Sequence, residues 1–237
     1  VISGGKLLAQ YDKQCLPNYE VFDEKRYFSA GTKPCVVDID GLSVGLTICE
    51  DIWHPEPAAQ AKAAGAAMLI NINASPFHRG KLSERLERVK SCAAAHQLPI
   101  IYVNQVGGQD ELVFDGGSFA IDAQGELSVS AQTFIEAFPI VTVDRSSDAR
   151  LAPGDTVAER EDLDAVWQAL VLGMRDYVDK NGFPGVVLGL SGGIDSAVTL
   201  AVAADALGHE RVEAVMMPFR YTASMSVEDA EAEAKAL

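Results

Sequence analysis

Short strand-like runs alternate with amphipathic helical segments along most of this chain, and this alternation constrains its fold more than any other feature. Strands separated by helices pair in parallel, whereas neighbouring runs joined by a tight turn form antiparallel hairpins. The patterns predict hairpins in residues 34–48 and 117–129, strands in 67–72 and 99–103, helices in 56–65 and 82–93, and a closing apolar run in 140–143. Asp40-Gly41 is a strong turn signal for the first hairpin. We therefore expect an α/β fold, a layered domain of strands and helices.

A second α/β unit is expected after an interruption of this pattern. Residues 146–161 combine Ser, Pro, Gly and charged residues, which is typical of a linker. The pattern then restarts with a helical stripe, a strand at 185–190, a Gly-rich turn, a helix at 195–207 and a strand at 212–217. A strand, a crossover helix and a second strand form a parallel pair. We therefore predict one domain in residues 1–145, a linker, and the start of another domain in 162–237.

The composition is that of a globular protein and argues against several classes. Of the 237 residues 48% are hydrophobic and 22% charged, so the chain contains enough apolar material for a core. The net charge of −15 indicates a solvated acidic surface rather than one that binds nucleic acid. Apolar runs stay short of the about 20 residues that a membrane helix needs. The four cysteines lack CxxC spacing, which favours a reducing compartment, and we expect a cytoplasmic protein.

Cys49 is the first candidate for chemistry. It lies in the segment GLTICEDIW, where a predicted strand ends and the chain turns. Such a turn exposes a side chain and directs the following backbone N–H at a reacting carbonyl, which suits a covalent nucleophile with an oxyanion hole. The alternative is a cysteine that acts as a small buried hydrophobic residue. None of the four histidines is placed by the sequence to act as its base.

Several segments around Cys49 resemble one family. Residues 11–24, 45–53, 71–81 and 104–118 are together similar to the nitrilase, or carbon–nitrogen hydrolase, superfamily, and more closely to the glutaminase domain of the glutamine-dependent NAD synthetase family. The resemblance implies an αββα sandwich and a Glu–Lys–Cys triad. Cys49 would then be the nucleophile that attacks the glutamine side-chain amide and forms a thioester. Lys13 would be the catalytic lysine and would stabilise the oxyanion together with the Glu50 N–H.

The resemblance also implies a pocket for the α-groups of glutamine. Glu50 would pair with the ammonium and Lys81 with the carboxylate, although Arg79 is a rival to Lys81. Tyr19, Phe22 and Ser75 match family positions that line this pocket. The alternative for these three is two core aromatic residues and a loop serine.

One member of the triad is expected outside this sequence. The family's general-base Glu lies upstream of the lysine, and Asp12 is the only acidic residue before Lys13. The chain also begins at Val1 without an initiator Met. We therefore expect an incomplete piece of a longer enzyme, consisting of the C-terminal part of the glutaminase domain and the N-terminal part of the synthetase domain.

A second candidate site lies in the string SGGIDS at residues 191–196, which follows a strand and opens a helix. Glycines let a backbone approach a phosphate, and a helix N-terminus offers free N–H groups. Ser191 and Ser196 add hydroxyl donors. The string differs from a Walker A loop because it lacks Gly-Lys-Ser/Thr. The alternative is that the glycines serve only tight strand–helix packing.

The string resembles the PP-motif of N-type ATP pyrophosphatases, which cleave ATP to AMP and pyrophosphate and adenylate a substrate. The resemblance implies a Rossmann-like parallel α/β domain. Asp195 would also help to hold Mg²⁺. Met217 and Arg220 would lie on the adenine side, with plain packing at a strand end as the alternative. The residues that would contact the ATP phosphates are Ser191, Gly192, Gly193, Asp195 and Ser196.

The two motifs together imply a ligase that makes NAD from deamido-NAD, ATP and ammonia released from glutamine. We expect a homo-oligomer that binds neither nucleic acid nor membrane, with the deamido-NAD site beyond Leu237. One alternative is another amidase or amidotransferase of the nitrilase superfamily joined to an ATP pyrophosphatase module. A second is a catalytically inactive fragment that serves binding or assembly.

Overall fold

The computed structural model describes residues 1–145 and 149–237, which form two compact units. The first contains Val1–Val106 and Phe114–Glu159, and the second contains Gly107–Val113 and Arg160–Leu237. The predicted α/β fold is confirmed.

In chain order the strands are β1 (Ile2–Ser3), β2 (Lys6–Leu7), β3 (Cys35–Ile39), β4 (Leu42–Ile48), β5 (Met68–Asn73), β6 (Ile100–Asn104), β7 (Val106–Gln109), β8 (Leu112–Asp115), β9 (Phe119–Ile121), β10 (Leu127–Ser130), β11 (Val143–Asp144), β12 (Arg150–Leu151), β13 (Val186–Gly189) and β14 (Val212–Val215). The helices are α1 (Glu24–Tyr27), α2 (Pro55–Ala63), α3 (Lys81–His96), α4 (Asp162–Lys180), α5 (Ile194–Leu207) and α6 (Ser224–Ala236).

The first unit is built on a six-stranded sheet with the order β10-β9-β6-β5-β4-β3. Its central strands β4, β5 and β6 run parallel, and antiparallel strands extend it on both sides. The predicted first hairpin is confirmed, since Ile39 pairs with Leu42 across a two-residue turn. Both turn residues, Asp40 (φ 52°) and Gly41 (φ 85°), lie in the left-handed region that such a hairpin turn requires. The second predicted hairpin is formed by β9 and β10.

Helices α2 and α3 connect the parallel strands and bury their apolar sides in the main core of this unit. Alanines of α2 and the Val89–Ala93 turn of α3 pack there with residues of β5, β6 and β9. A smaller cluster includes residues of β3, β4 and β5 together with Ala149. Parallel strands end at one edge of a sheet, so the segments that follow Ile48, Asn73 and Asn104 begin side by side. This edge holds the first candidate site.

The end of the first unit differs from the expectation. Within the apolar run 140–143 only Val143 belongs to a strand, and Ile140 is exposed. The strand β11 pairs with β12, which lies inside the predicted linker. Ala149 is fully buried, and Leu151 packs in a cluster with Ala120 and Val129, so the packed part of the first unit continues past residue 145. Ala149 and Leu151 are only two apolar residues, which are too few to form a periodicity that would predict a strand. The linker residues Ser146, Ser147 and Asp148 lie outside the described residues.

The second unit contains the predicted strand–helix–strand motif. Strands β13 and β14 pair in parallel, with Val186 opposite Val212, and α5 connects them. Helix α4 packs on α5 through Val171, Val202 and Ala206. Helix α6 adds Ala230 to a cluster with Leu190 and Leu200. Across both described parts of the chain, no helix combines the length and hydrophobicity that a membrane span requires.

Candidate functional site

Cys49 lies where β4 ends and a 3₁₀ turn, Cys49–Trp53, begins. Its φ of 46° falls in the left-handed region, which is unusual for a residue other than glycine and concentrates at functional sites. This sharp change of direction is the strand-end turn that the sequence predicts. It places the thiol at the carboxyl edge of the parallel strands.

The charges around Cys49 act in opposite directions. Burial raises the pKa of the thiol, and the carboxylates of Glu50 and Glu24 raise it further. The Lys13 ammonium and a backbone hydrogen bond at Ala74 lower it. Burial is the largest effect, and the net change is a raised pKa. The thiol is therefore protonated at neutral pH and needs a proton acceptor before it can attack.

Lys13 is a fixed cation beside this thiol. Its side chain is only 13% exposed, and its Nζ donates to both carboxylate oxygens of Glu24 at 2.7 Å. The loop that carries Lys13 is closed by a hydrogen bond from Gly31 N to Lys13 O of 2.8 Å. Sequence reasoning missed Glu24, although it belongs to the segment that carries the family resemblance. The sequence offered only a glutamate in the first turn of a short helix, and that position does not show which cation it pairs with.

Glu50, Tyr19 and Phe22 are brought together beside the nucleophile. The Tyr19 hydroxyl donates to Glu50 Oε2 at 2.9 Å, and the Tyr19 and Phe22 rings meet edge-on with centroids 6.1 Å apart. His54 Nε2 lies 3.6 Å from the other oxygen, Glu50 Oε1. Burial and the Glu50 carboxylate raise the pKa of Tyr19, so its hydroxyl remains a donor. A cavity of about 560 Å³ is lined partly by Tyr19, Glu50 and His54.

Lys81 approaches the same turn from the start of α3. Its Nζ lies 4.5 Å from the centre of the Trp53 ring and 3.0 Å from Glu84 Oε2. The hydrogen bond from Lys81 lowers the pKa of Glu84. Cation–π attraction holds an ammonium over an indole face. The choice between Lys81 and Arg79 as carboxylate partner stays a prediction.

Ser75 is buried, and a charged cluster that sequence reasoning missed holds it in place. Arg85 Nε donates to Ser75 Oγ at 3.1 Å, and another Arg85 nitrogen donates to Ser75 O at 2.8 Å. The Arg85 guanidinium is fully buried and also pairs with both oxygens of Asp115, at 2.8 and 3.0 Å. Asn104 Oδ1 accepts from Ser75 N at 3.0 Å. An arginine in an amphipathic helix normally lies on the face exposed to solvent, so the sequence provided no reason to expect that Arg85 is buried with Asp115.

The second predicted site forms a compact loop between β13 and α5. Gly192 has φ 77°, and a Cβ at this position would lie 2.0 Å from Ser226 O, so only glycine fits. The hydroxyls of Ser191 and Ser196 lie 3.0 Å apart, and Ser191 Oγ also accepts from Gly193 N at 3.3 Å. Asp195 is exposed in the first turn of α5.

The adenine-side candidates follow β14. Met217 is 76% exposed, and a Cβ added to Gly189 at the end of β13 would lie 3.3 Å from Met217 Cε. Arg220 is stacked near Phe219 and Tyr221, with its Cζ 5.4 and 5.0 Å from the ring centres. Met217 is thus close to the strand that leads into the SGGIDS loop. Within the described residues no group of three or more His, Cys, Asp or Glu side chains could hold a metal ion.

Comparisons with known proteins match both parts of the chain. The family model described as carbon-nitrogen hydrolase matches residues 1–152, and the one described as NAD synthase matches residues 166–237. A glutamine-dependent NAD(+) synthetase from Acinetobacter baylyi is 43% identical over 99% of this chain. One from Thermotoga maritima is 41% identical over the whole chain. The chain covers 43% and 47% of these two relatives, so it spans less than half of their length.

Solved structures agree with these matches. The structure of glutamine-dependent NAD+ synthetase from Acinetobacter baumannii in complex with ADP aligns with a TM-score of 0.94 at 44% identity. That alignment covers 99% of this chain and 44% of the other. A carbon-nitrogen hydrolase from Helicobacter pylori aligns with a TM-score of 0.51 at 28% identity, covering 56% of this chain and 51% of its own.

Proposed function

The chain belongs to the carbon–nitrogen hydrolase family, and from this premise we propose that it supplies the glutaminase site and the ATP-phosphate loop of a glutamine-hydrolysing NAD synthetase. The observation that carries the proposal is the order of two sites in one chain. A cysteine, a lysine and a glutamate meet at the edge of the first sheet, and the SGGIDS loop follows in the second unit. The relatives that align over 99% or more of this chain are named glutamine-dependent NAD(+) synthetases.

The proposed glutaminase reaction begins with glutamine held by its α-groups. Glu50 pairs with the ammonium, beside Tyr19 and Phe22, and Lys81 pairs with the carboxylate. The thiolate of Cys49 attacks the side-chain amide carbon, and the oxyanion is stabilised by Lys13 and the Glu50 N–H. Collapse of this intermediate breaks the carbon–nitrogen bond, releases ammonia and leaves a glutamyl thioester. Water then hydrolyses the thioester to glutamate and regenerates the thiol.

Proton transfer explains why a carboxylate is required near the thiol. Because burial raises the pKa of Cys49, the thiol proton must pass to a base as the carbon–sulfur bond forms, and the base must then give it to the leaving nitrogen so that ammonia departs. The family resemblance assigns this base to a glutamate upstream of Lys13. Glu24 has a separate part in the proposal: it holds the Lys13 ammonium in a charged, fixed position beside the thiol.

The second half-reaction would use ATP to adenylate the nicotinate carboxyl group of deamido-NAD. The phosphates would lie against Ser191, Gly192, Gly193 and Ser196 at the N-terminus of α5. Asp195 suits Mg²⁺, since this ion commonly takes one or two carboxylates and completes its coordination with phosphate oxygens and water. An ion held there would offset the charge of the departing pyrophosphate. Met217 would pack on the adenine side.

The products would be NAD, AMP, pyrophosphate and glutamate. Ammonia is reactive and diffuses freely, so its transfer requires a path protected from solvent. The resemblance further favours a homo-oligomer, and the cysteine spacing favours a cytoplasmic protein. All four cysteines, which lie within the described residues, are free.

Replacing Cys49 by Ala in the full-length protein tests the first site. We expect glutamine-supported NAD formation to disappear and ammonia-supported formation to persist, because only the former needs the thiol. Both rates are measured by coupled detection of NAD. The control is Cys92→Ala, which removes a thiol buried in α3 and should preserve both activities. Loss of both activities in Cys49→Ala, or survival of both, would refute this division of labour.

Replacing Asp195 by Ala tests the second site. We expect ATP-dependent pyrophosphate release to fall by about 100-fold, because the charge of the leaving group is no longer compensated. The control is Asp205→Asn, at the other end of α5, whose side chain still accepts from Trp167 Nε1. Undiminished pyrophosphate release in Asp195→Ala would contradict the role of the loop.

A further inference from the structure

Asp51 is a fully buried carboxylate that joins two loops at the glutaminase site. Its Oδ1 accepts from Gln14 N at 3.1 Å and from Cys15 N at 2.8 Å. Its Oδ2 accepts from the Tyr11 hydroxyl at 2.7 Å and from Ile48 N at 2.9 Å. Four donors from two segments more than 30 residues apart therefore converge on one side chain.

These donors flank the two residues that carry the proposed chemistry. Gln14 and Cys15 directly follow Lys13, and Ile48 directly precedes Cys49. Hydrogen bonds that fix the backbone next to a residue restrict the positions that the side chain of that residue can reach. Because both segments are bound to the same two oxygens, the position of Lys13 relative to Cys49 is set through Asp51.

The environment suits a charged acceptor. A buried carboxylate is costly unless hydrogen bonds satisfy its lone pairs, and four donors do so here. Burial and the adjacent Asp51 carboxylate raise the pKa of Tyr11, so its phenol remains a donor. The two oxygens of a carboxylate offer four lone pairs, which match the four donors.

We propose that Asp51 is a positioning residue that aligns the Lys13 ammonium with the Cys49 thiol for glutamine hydrolysis. The inference rests on the proposed glutaminase function. Asp51 acts through the two loops that it joins, whereas Lys13 and Cys49 act on the substrate. Misplacement of a catalytic group by about 1 Å can cost about 100-fold in rate, so a small loss of alignment should be measurable.

The first variant is Asp51→Asn in the full-length protein. The amide keeps the size of the side chain but presents an NH₂ group to donors that need an acceptor. We expect kcat for glutamine-supported NAD formation to fall by about 10- to 100-fold, with KM for glutamine changed by less than about threefold. Ammonia-supported NAD formation should be preserved, which shows that the second unit has folded. Unchanged hydrogen exchange in the strands of the six-stranded sheet shows the same for the first unit.

The pH profile of Cys49 alkylation gives a readout that a merely structural role would not change. The groups that affect this thiol are Lys13, Glu50 and Glu24, and it is also coupled to Tyr19 and Tyr102. Loss of the Asp51 charge alone would move the midpoint to lower pH or leave it unchanged. Loss of alignment with Lys13 removes a stabilising cation from the thiolate, so the midpoint should rise by about half a pH unit or more.

The second variant, Tyr11→Phe, removes one of the four donors and leaves the backbone bonds in place. We expect a smaller effect in the same direction, a loss of about 3- to 10-fold in kcat and an upward midpoint. The matched control is Asp122→Asn. Asp122 accepts from Gln124 N and Glu126 N at 2.9 and 2.8 Å in the β9–β10 turn, away from the site, and its replacement should change neither quantity.

Alkylation with iodoacetamide, followed by peptide mass spectrometry, needs no glutamine. If Cys49 of the wild-type protein is alkylated but the protein makes no NAD from glutamine, the proposed function fails. The midpoints of the alkylation profiles still test the alignment of Lys13 with Cys49. Unchanged kcat and midpoint in Asp51→Asn, or a midpoint that moves to lower pH, would overturn the inference. If Asp51→Asn also loses ammonia-supported activity, Tyr11→Phe decides alone, and an unchanged profile there would overturn it.

Discussion

At the scale of single residues, the first candidate site contains a residue whose backbone conformation and pKa both differ from their ordinary values. Cys49 has a left-handed backbone and a thiol whose pKa is raised by burial. Lys13 opposes that shift, and Glu24 holds Lys13. A thiol whose pKa is raised stays protonated until a base takes its proton, which limits its oxidation and unspecific reaction.

The raised pKa predicts the pH dependence of Cys49 reactivity. The thiolate is the reactive form, and its population grows as the pH approaches the pKa from below. Since that pKa lies above the ordinary value of 9.0, the alkylation rate of Cys49 should still be rising at pH 9. The rate is measured by iodoacetamide labelling and peptide mass spectrometry between pH 6 and 10.

The Lys13→Gln variant provides the comparison for this measurement. It removes the cation that lowers the thiol pKa, so the profile should move to higher pH. A wild-type profile that reaches its plateau below pH 7.5 would mean that the cation outweighs burial, contrary to the expected balance.

At the scale of elements, α3 does more than cover the sheet. Its buried residues are Arg85, Val89, Cys92 and Ala93, so an arginine lies among the apolar side chains. Arg85 ties the helix to Asp115 on β8 and to the loop of Ser75. Through this pair the helix positions one wall of the candidate glutamine pocket.

Replacing Arg85 by Met tests the energetic role of the pair. Methionine fills a similar volume but leaves the buried Asp115 without its cation, and such a loss costs about 3 to 5 kcal/mol of unfolding free energy. Urea denaturation followed by circular dichroism measures the change. The control is Lys90→Gln on the exposed side of α3, which ends an ion pair with Glu87 of 3.2 Å and should cost about 0.5 kcal/mol or less. Equal losses in the two variants would contradict the assignment.

At the scale of the whole molecule, each unit has a core of its own. Leu69 is fully buried in the main core of the first unit, and Leu200 is 4% exposed in a cluster of the second. Both lie among residues drawn from helices and strands of their own unit. Each unit therefore contains the packing that a domain needs to hold its site in shape.

A pair of cavity-forming substitutions tests this division. Leu69→Ala and Leu200→Ala should each cost about 2 to 5 kcal/mol, because each leaves a void in a packed core. Hydrogen exchange with mass spectrometry should show loss of protection in the first unit for Leu69→Ala and in the second for Leu200→Ala. Loss of protection across both units in either variant would show a single cooperative core instead.

Local features of this protein follow from the sequence by itself. The Asp40-Gly41 hairpin, the parallel strand–helix–strand of the second unit and the strand-end position of Cys49 depend on neighbouring residues and on periodicity. Short-range sterics and the spacing of apolar residues suffice for such features.

The tertiary structure alone decided which distant groups meet. The pairing of Lys13 with Glu24, the bridge from Asp51 to the Lys13 loop and the buried contact of Arg85 with Asp115 join segments that no local pattern relates. The physical reason lies in the sheet. The turn that holds Asp51 and the loop that holds Ser75 follow the parallel strands β4 and β5. The Lys13 loop and Arg85 of α3 meet them only when these strands have paired and α3 has packed on the sheet. Their polar side chains are then withdrawn from water and must satisfy one another.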